Sequence, residues 1–105
     1  MSAIFIYVTV PSEAEAREMA RAVVADRLAA CANIIPGMQS VYHWKGEIQE
    51  AREVVLIFKT RATLFQAVEA RVMELHKYKA PCIVAMPLEQ GHKDYIDWIM
   101  AETKP

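Results

Sequence analysis

The sequence predicts an α+β sandwich with the element order β-α-β-β-α-β and a short helix at its end. Three observations carry this prediction. Strand-like runs rich in Ile, Val, Phe and Tyr alternate with two stretches of helical periodicity. Pro and Gly punctuate the joins between them, at Pro11, Pro36-Gly37, Gly46 and Pro81. No repeat, low-complexity tract or linker interrupts the 105 residues, so one domain is expected over 1–105.

Ala3 to Val10 reads as the first strand, stopped by Pro11. Ser12 lies three residues before Glu15, the spacing of a capping box. Met19, Ala20, Val23, Val24 and Leu28 then recur at helical spacing, predicting a helix over 12–30. Cys31 to Ile35 is a short apolar strand broken by Pro36-Gly37, and Gln39 to Lys45 resumes as a strand with Val41 out of phase with Tyr42 and Trp44. Gly46 supplies a turn, and Glu53 to Thr60 is the clearest strand of the chain. Thr63 is placed to cap a second helix that carries Phe65, Val68, Val72 and Leu75 on one face and ends near His76. Pro81 opens a last strand, Cys82 to Met86, and Tyr95, Trp98 and Ile99 share a face of a short segment over 92–101. This order is the split βαβ, or ferredoxin-like, two-layer arrangement, with both long helices on one face of the sheet.

Hydrophobic residues make up 54% of the chain and charged residues 24%, which excludes a disordered chain. The net charge of −1 carries no basic stripe, so no nucleic-acid partner is expected. Ile4 to Val10 is too short to span a bilayer and lacks the flanks of an export signal, so neither a membrane role nor export is expected. A cytoplasmic location follows, with Cys31 and Cys82 as reduced thiols.

The strands are apolar on both faces. Ile4, Ile6 and Val8 oppose Phe5 and Tyr7; Val54, Leu56 and Phe58 oppose Val55 and Ile57; Cys82, Val84 and Met86 oppose Ile83 and Ala85. A sheet covered on one side should instead alternate apolar with polar. Two helices cannot cover both faces, and the terminal segment is too short for the remainder. A soluble monomer rarely leaves more than about several hundred Å² of such surface in water. Another copy of the same chain is the expected cover.

Ala30-Cys31-Ala32-Asn33-Ile34 followed by Ser40-Val41-Tyr42-His43-Trp44-Lys45-Gly46 resembles the CutA family, linked to divalent-cation tolerance. Glu53 before a strand ending in Lys59-Thr60, His76 and Tyr78 ahead of Pro81, and Tyr95 with Trp98 near the end extend the resemblance over essentially the whole chain. The resemblance implies a ferredoxin-like subunit in a tight homotrimer, without enzymatic activity and with no obligatory cofactor. It also implies a link to copper or another divalent cation through His76. The family's usual His-Pro-Tyr-Glu-x-Pro-Glu reads His76-Lys77-Tyr78-Lys79-Ala80-Pro81-Cys82 here. Two carboxylates are replaced and two ammonium groups added, each opposing a nearby cation by about 1 kcal/mol even in a wet site. A PII-like trimer that senses a small ligand or nucleotide is the alternative, against which stands the missing long loop.

The chemistry-bearing residues are few. His76 and Cys31 are candidate soft-metal ligands, yet no Cys-x-x-Cys or His-x-His spacing occurs. Cys31 and Cys82 also read as small buried hydrophobes. A Cys31–His76 nucleophile–base pair would lack an orienting group and an oxyanion loop. Tyr42, Trp44, Tyr78, Tyr95 and Trp98 read as interface anchors, with Trp44 best placed to reach a neighbouring subunit. Glu53 and Lys59 share a face of one strand about 20 Å apart, too far to pair directly, and Glu53 is expected to anchor between subunits.

Overall fold

The computed structural model of the chain describes residues 2–76 and 80–105. β1 (Ala3–Val10), β2 (Cys31–Trp44), β3 (Glu47–Arg61) and β4 (Ile83–Pro87) form one antiparallel sheet in the spatial order β2-β3-β1-β4. α1 (Glu13–Ala25) and α2 (Phe65–Leu75) connect strands, and α3 (Lys93–Ala101) follows β4. This is the ferredoxin-like α+β fold that the residue pattern predicts.

α1 starts as expected. The Ser12 hydroxyl oxygen accepts the Glu15 backbone N–H at 3.2 Å and donates to the Glu15 carboxylate at 2.9 Å. Its end comes five residues earlier than the periodicity suggests. Arg27 takes a left-handed φ of 58°, Leu28 N–H reaches back to the Val23 carbonyl and Arg27 N–H to that of Val24. That is a Schellman ending with arginine where glycine is usual, so the sequence carries no stop signal there. Burial of Leu28 and Ala29 offsets the strain of about 1–2 kcal/mol at Arg27. α2 also starts differently. Thr63 lies in a 3-10 turn, Ala62–Leu64, and no side chain caps either helical start. The turn itself satisfies the Phe65 N–H through the Ala62 carbonyl.

The break at Pro36-Gly37 is a bulge inside one long strand. Between Ile35↔Val55 and Met38↔Glu53, β2 spends one residue more than β3, with Gly37 at φ 83°. The extra residue puts Ile35 and Met38 on the same face. β3 likewise begins at Glu47, before the expected Glu53, because its polar first half pairs with Met38–Trp44. Lys45 and Gly46 both have positive φ, 52° and 81°, closing a two-residue hairpin of type I′. β1 stops at Val10↔Val54, so among the described residues no third strand pairs with the hairpin beyond that point. A two-stranded ribbon of about 20 Å therefore leaves the sheet, and the long axis reaches 44 Å against 26 and 22 Å.

The core lies between one sheet face and α1 with α2. Ile4, Ile6, Val8, Val10, Val54, Leu56 and Phe58 pack there with Met19, Val23, Val68 and Val72. α3 serves the other face. Arg61, from the odd-numbered face of β3, donates through Nε to the Thr103 hydroxyl at 3.0 Å and through Nη2 to the Met100 carbonyl. Lys59, two residues earlier, donates to the Tyr95 hydroxyl at 3.0 Å. Thr103 in turn donates to the Ile99 carbonyl at 2.9 Å, and Lys104 N–H returns to the Arg27 carbonyl. A guanidinium on the last carbonyls of α3 satisfies orphan acceptors and docks the helix over one end of that face.

Candidate functional site

The second sheet face is ordered in rows by the strand register. Cys31, Lys59, Phe5 and Met86 form one row; Asn33, Ile57, Tyr7 and Val84 the next; Ile35, Val55 and Thr9 a third. α3 covers the end near Ala3 and Arg61, both buried. The rest is open: Ile35 is 48%, Val84 49% and Met86 39% exposed. Past the bulge the same face continues along the ribbon through Met38, Ser40, Tyr42 and Trp44, with Tyr7 hydroxyl donating to Met38 Sδ at 3.4 Å. The ribbon's reverse face carries Val41 and Ile48, 67% and 68% exposed. Apolar groups thus lie exposed on both sides of the ribbon.

Most residues singled out by sequence fall on this continuous surface. Asn33, Glu53, Lys59, Ser40, Tyr42 and Trp44 lie on the face itself, and Gly46 makes the ribbon's turn. Tyr95 and Trp98 project from α3 with rings 5.6 Å apart and tilted by 35°. Lys59 Nζ sits 5.3 Å from the centres of both the Phe5 and the Tyr95 rings. Thr60 is placed otherwise: it is buried on the helix side, where its hydroxyl donates to the Leu28 carbonyl at 2.6 Å. Tyr78 lies outside the described residues. Sequence reading put Phe5 and Met86 on apolar strand faces without aligning them with Lys59, and it passed over Met38. Their signal was the unbroken apolar run of β1 and β4, but register was needed to align them.

The metal candidates do not meet in one chain. Cys31 sits in the Phe5 row, whereas His76 Nε2–H donates to the Thr9 carbonyl at 2.8 Å. Phe5 and Thr9 are four residues apart along β1, about 14 Å. A Cys31–His76 nucleophile–base pair is therefore out of reach within a chain. Among the described residues no three of His, Cys, Asp and Glu converge on a possible ion position. The carbonyl of Thr9 can only accept, so Nε2 is the proton-bearing nitrogen in that contact. Asn33 reaches the Cys31 thiol only at 3.9 Å.

Both cysteines are free and half-buried. Burial pushes the Cys82 thiol up from its ordinary value, and the Glu53 carboxylate beside it pushes in the same direction. Cys82 is accordingly a thiol at neutral pH, a poor ligand and a poor nucleophile. In a Cys31→Ser background at pH 8, Glu53→Gln lowers that pKa and should speed alkylation of Cys82 by about twofold or more. An unchanged or slower rate contradicts the electrostatic coupling.

The same sheet, hairpin and helices occur in known proteins. The family described as CutA1 divalent ion tolerance protein matches residues 4–102. The chain is 46% identical over 98 residues to the divalent-cation tolerance protein CutA of Thermus thermophilus, covering 93% of this chain and 95% of that one. Protein CutA of Mus musculus is 44% identical over 98 residues, but the chain spans only 55% of its length. The structure of the periplasmic divalent cation tolerance protein CutA from Archaeoglobus fulgidus superposes with a TM-score of 0.94 at 41% identity, over 97% of this chain and 99% of that one. With a family match over nearly its whole length and relatives well above 40% identity, the chain belongs to the CutA1 divalent ion tolerance protein family.

Proposed function

We propose that the protein is a non-enzymatic homotrimer acting in divalent-metal tolerance, copper in particular, in which copies cover one another's open sheet faces. One observation carries the reading: a continuous apolar surface through Ile35, Val84 and the ribbon, over which no helix packs among the described residues. Removing Ile, Val and Met side chains of this kind from water contributes about 1.5–3 kcal/mol each when burial is complete. A lone two-stranded ribbon, by contrast, is marginal in water. The two needs have one remedy, because the ribbon continues the open face. A copy seated on the face extends onto Tyr42 and Trp44. The number three is what the family resemblance supplies.

In this proposal Glu53 and Trp44 are anchors between copies, since both lie on the shared surface. Copper meets the protein through His76, whose ring Thr9 holds by Nε2–H. Binding within one chain is weak, because Cys31 lies about four residues' spacing away along β1 and no cluster completes the site among the described residues. A cytoplasmic setting is part of the proposal, supported by free Cys31 and Cys82. No nucleic acid or membrane partner enters it: the net charge is −1, and among the described residues no helix is long and apolar enough to cross a membrane.

Light scattering is expected to give the mass of three chains for the wild type. Val84→Glu, which puts a charge at the middle of the covered face, should yield single chains and a lower melting temperature. A wild type that scatters as one chain, or a variant that stays assembled with its melting temperature intact, contradicts the proposal. For the metal, His76→Ala should abolish copper(II) uptake in equilibrium dialysis. Equal uptake by wild type and variant removes His76 from the site.

A further inference from the structure

Lys59 is held in an unusual way. Its ammonium stands 5.3 Å from the centres of two aromatic rings, Phe5 below it on the sheet and Tyr95 above it on α3. Cation–ring attraction of this kind fixes the position of the charge without neutralising it. No carboxylate lies within ion-pair distance of Lys59 among the described residues. An ammonium has three N–H donors, and among the described residues the one hydrogen bond it makes is to the Tyr95 hydroxyl at 3.0 Å. Because the Tyr95 oxygen accepts there, its own hydroxyl hydrogen is left to donate elsewhere. The cluster therefore presents two ammonium N–H groups and one phenolic O–H, with a single positive charge.

The walls are apolar. Met86 neighbours Phe5 in the β1–β4 register. Trp98 stands 5.6 Å from Tyr95, and the two exposed rings are tilted by 35°. Tilted rings of this kind leave a face and an edge for a third ring, and the Met86 thioether is a favourable neighbour for one. No second cation lies over these rings among the described residues. One charge with two or three donors matches the two oxygens of a carboxylate, whereas a phosphate dianion calls for more positive charge.

From this geometry we propose that Lys59, Tyr95, Phe5, Trp98 and Met86 form a binding site for a small organic carboxylate with a flat, aromatic body. The carboxylate takes the Lys59 ammonium and the Tyr95 hydroxyl, and the ring lies against Trp98 and Met86. The site is complete within one chain and goes beyond the metal-tolerance reading. A carboxylate side chain of a second copy is the other source of the same chemistry, and the experiment separates the two.

Benzoate is the probe, titrated into the wild-type protein by calorimetry, with inorganic phosphate in parallel. The wild type should bind one benzoate per chain with a dissociation constant of about 1 mM or tighter, and phosphate about tenfold more weakly or less. Lys59→Gln should weaken benzoate by about tenfold or more, and Tyr95→Phe, which keeps the ring and removes only the hydroxyl, by about three- to tenfold. Absence of saturation by about 20 mM benzoate overturns the proposal. So do equal affinity for phosphate and unchanged binding by both variants. Light scattering on the same samples tests the source: if Lys59→Gln separates the copies while wild-type protein ignores benzoate, the carboxylate belongs to a neighbouring chain and the small-molecule site is refuted. A wild type of single-chain mass that still binds benzoate through Lys59 would sink the homotrimer and leave this site standing.

Discussion

One sheet with two apolar faces, and helices for only one of them, is the constraint on which the rest depends. α1 and α2 fill the side of Ile6, Val8, Leu56 and Phe58, all fully buried. α3 is held by Arg61 over one end of the opposite side and reaches no further. What is left open is contiguous with the ribbon formed by Met38–Trp44 and Glu47–Glu53. A fold that stopped at one copy would expose Ile35, Val84 and Met86 and would hold up a two-stranded ribbon without a core. The proposed association would remove both difficulties, and the same surface carries most of the residues on which the resemblance to the CutA family rests.

The two ends of that face differ in chemistry. Near α3 the surface is aromatic and cationic, through Phe5, Lys59, Tyr95 and Trp98. At the opposite end Glu53 lies beside Cys82, whose thiol burial and that carboxylate keep protonated. His76 is anchored there to the Thr9 carbonyl. In the sequence, the two carboxylates of the family pattern are here Lys79 and Cys82, which removes charge attractive to a hard cation. The proposed metal and carboxylate sites would therefore fall at separate ends of one sheet, four residues of β1 apart.

Much of this was legible in the residues because the signals were local. The Ser12–Glu15 capping box, the Gly46 turn and the unbroken apolar runs of β1 and β3 each depend on a few neighbouring positions, and each appears in the structure. The misreadings arose where the decisive contact was distant or the usual marker was absent. Arg27 ends α1 in a conformation for which glycine is the common sign, so the helix looked longer. Pro36-Gly37 looked like a strand end, yet pairing with β3 carries β2 through it as a bulge. The partnership of Lys59 with Phe5 and Tyr95 spans more than fifty residues of sequence on one side and thirty-six on the other, beyond any local pattern. Thr60 shows the converse: a family-motif residue whose hydroxyl braces Leu28 inside the subunit.

Amide hydrogen exchange of the native wild-type protein reports most directly on whether the ribbon is covered. The account predicts that cross-strand-bonded amides in Gln39–Trp44 and Glu47–Arg52 are protected about as strongly as those pairing β1 with β3, since a docked ribbon opens only when the assembly does. Ribbon amides that exchange at nearly the rate of an unfolded chain, while β1 stays protected, would mean that the greasy ribbon stands alone in water and that no copy covers it.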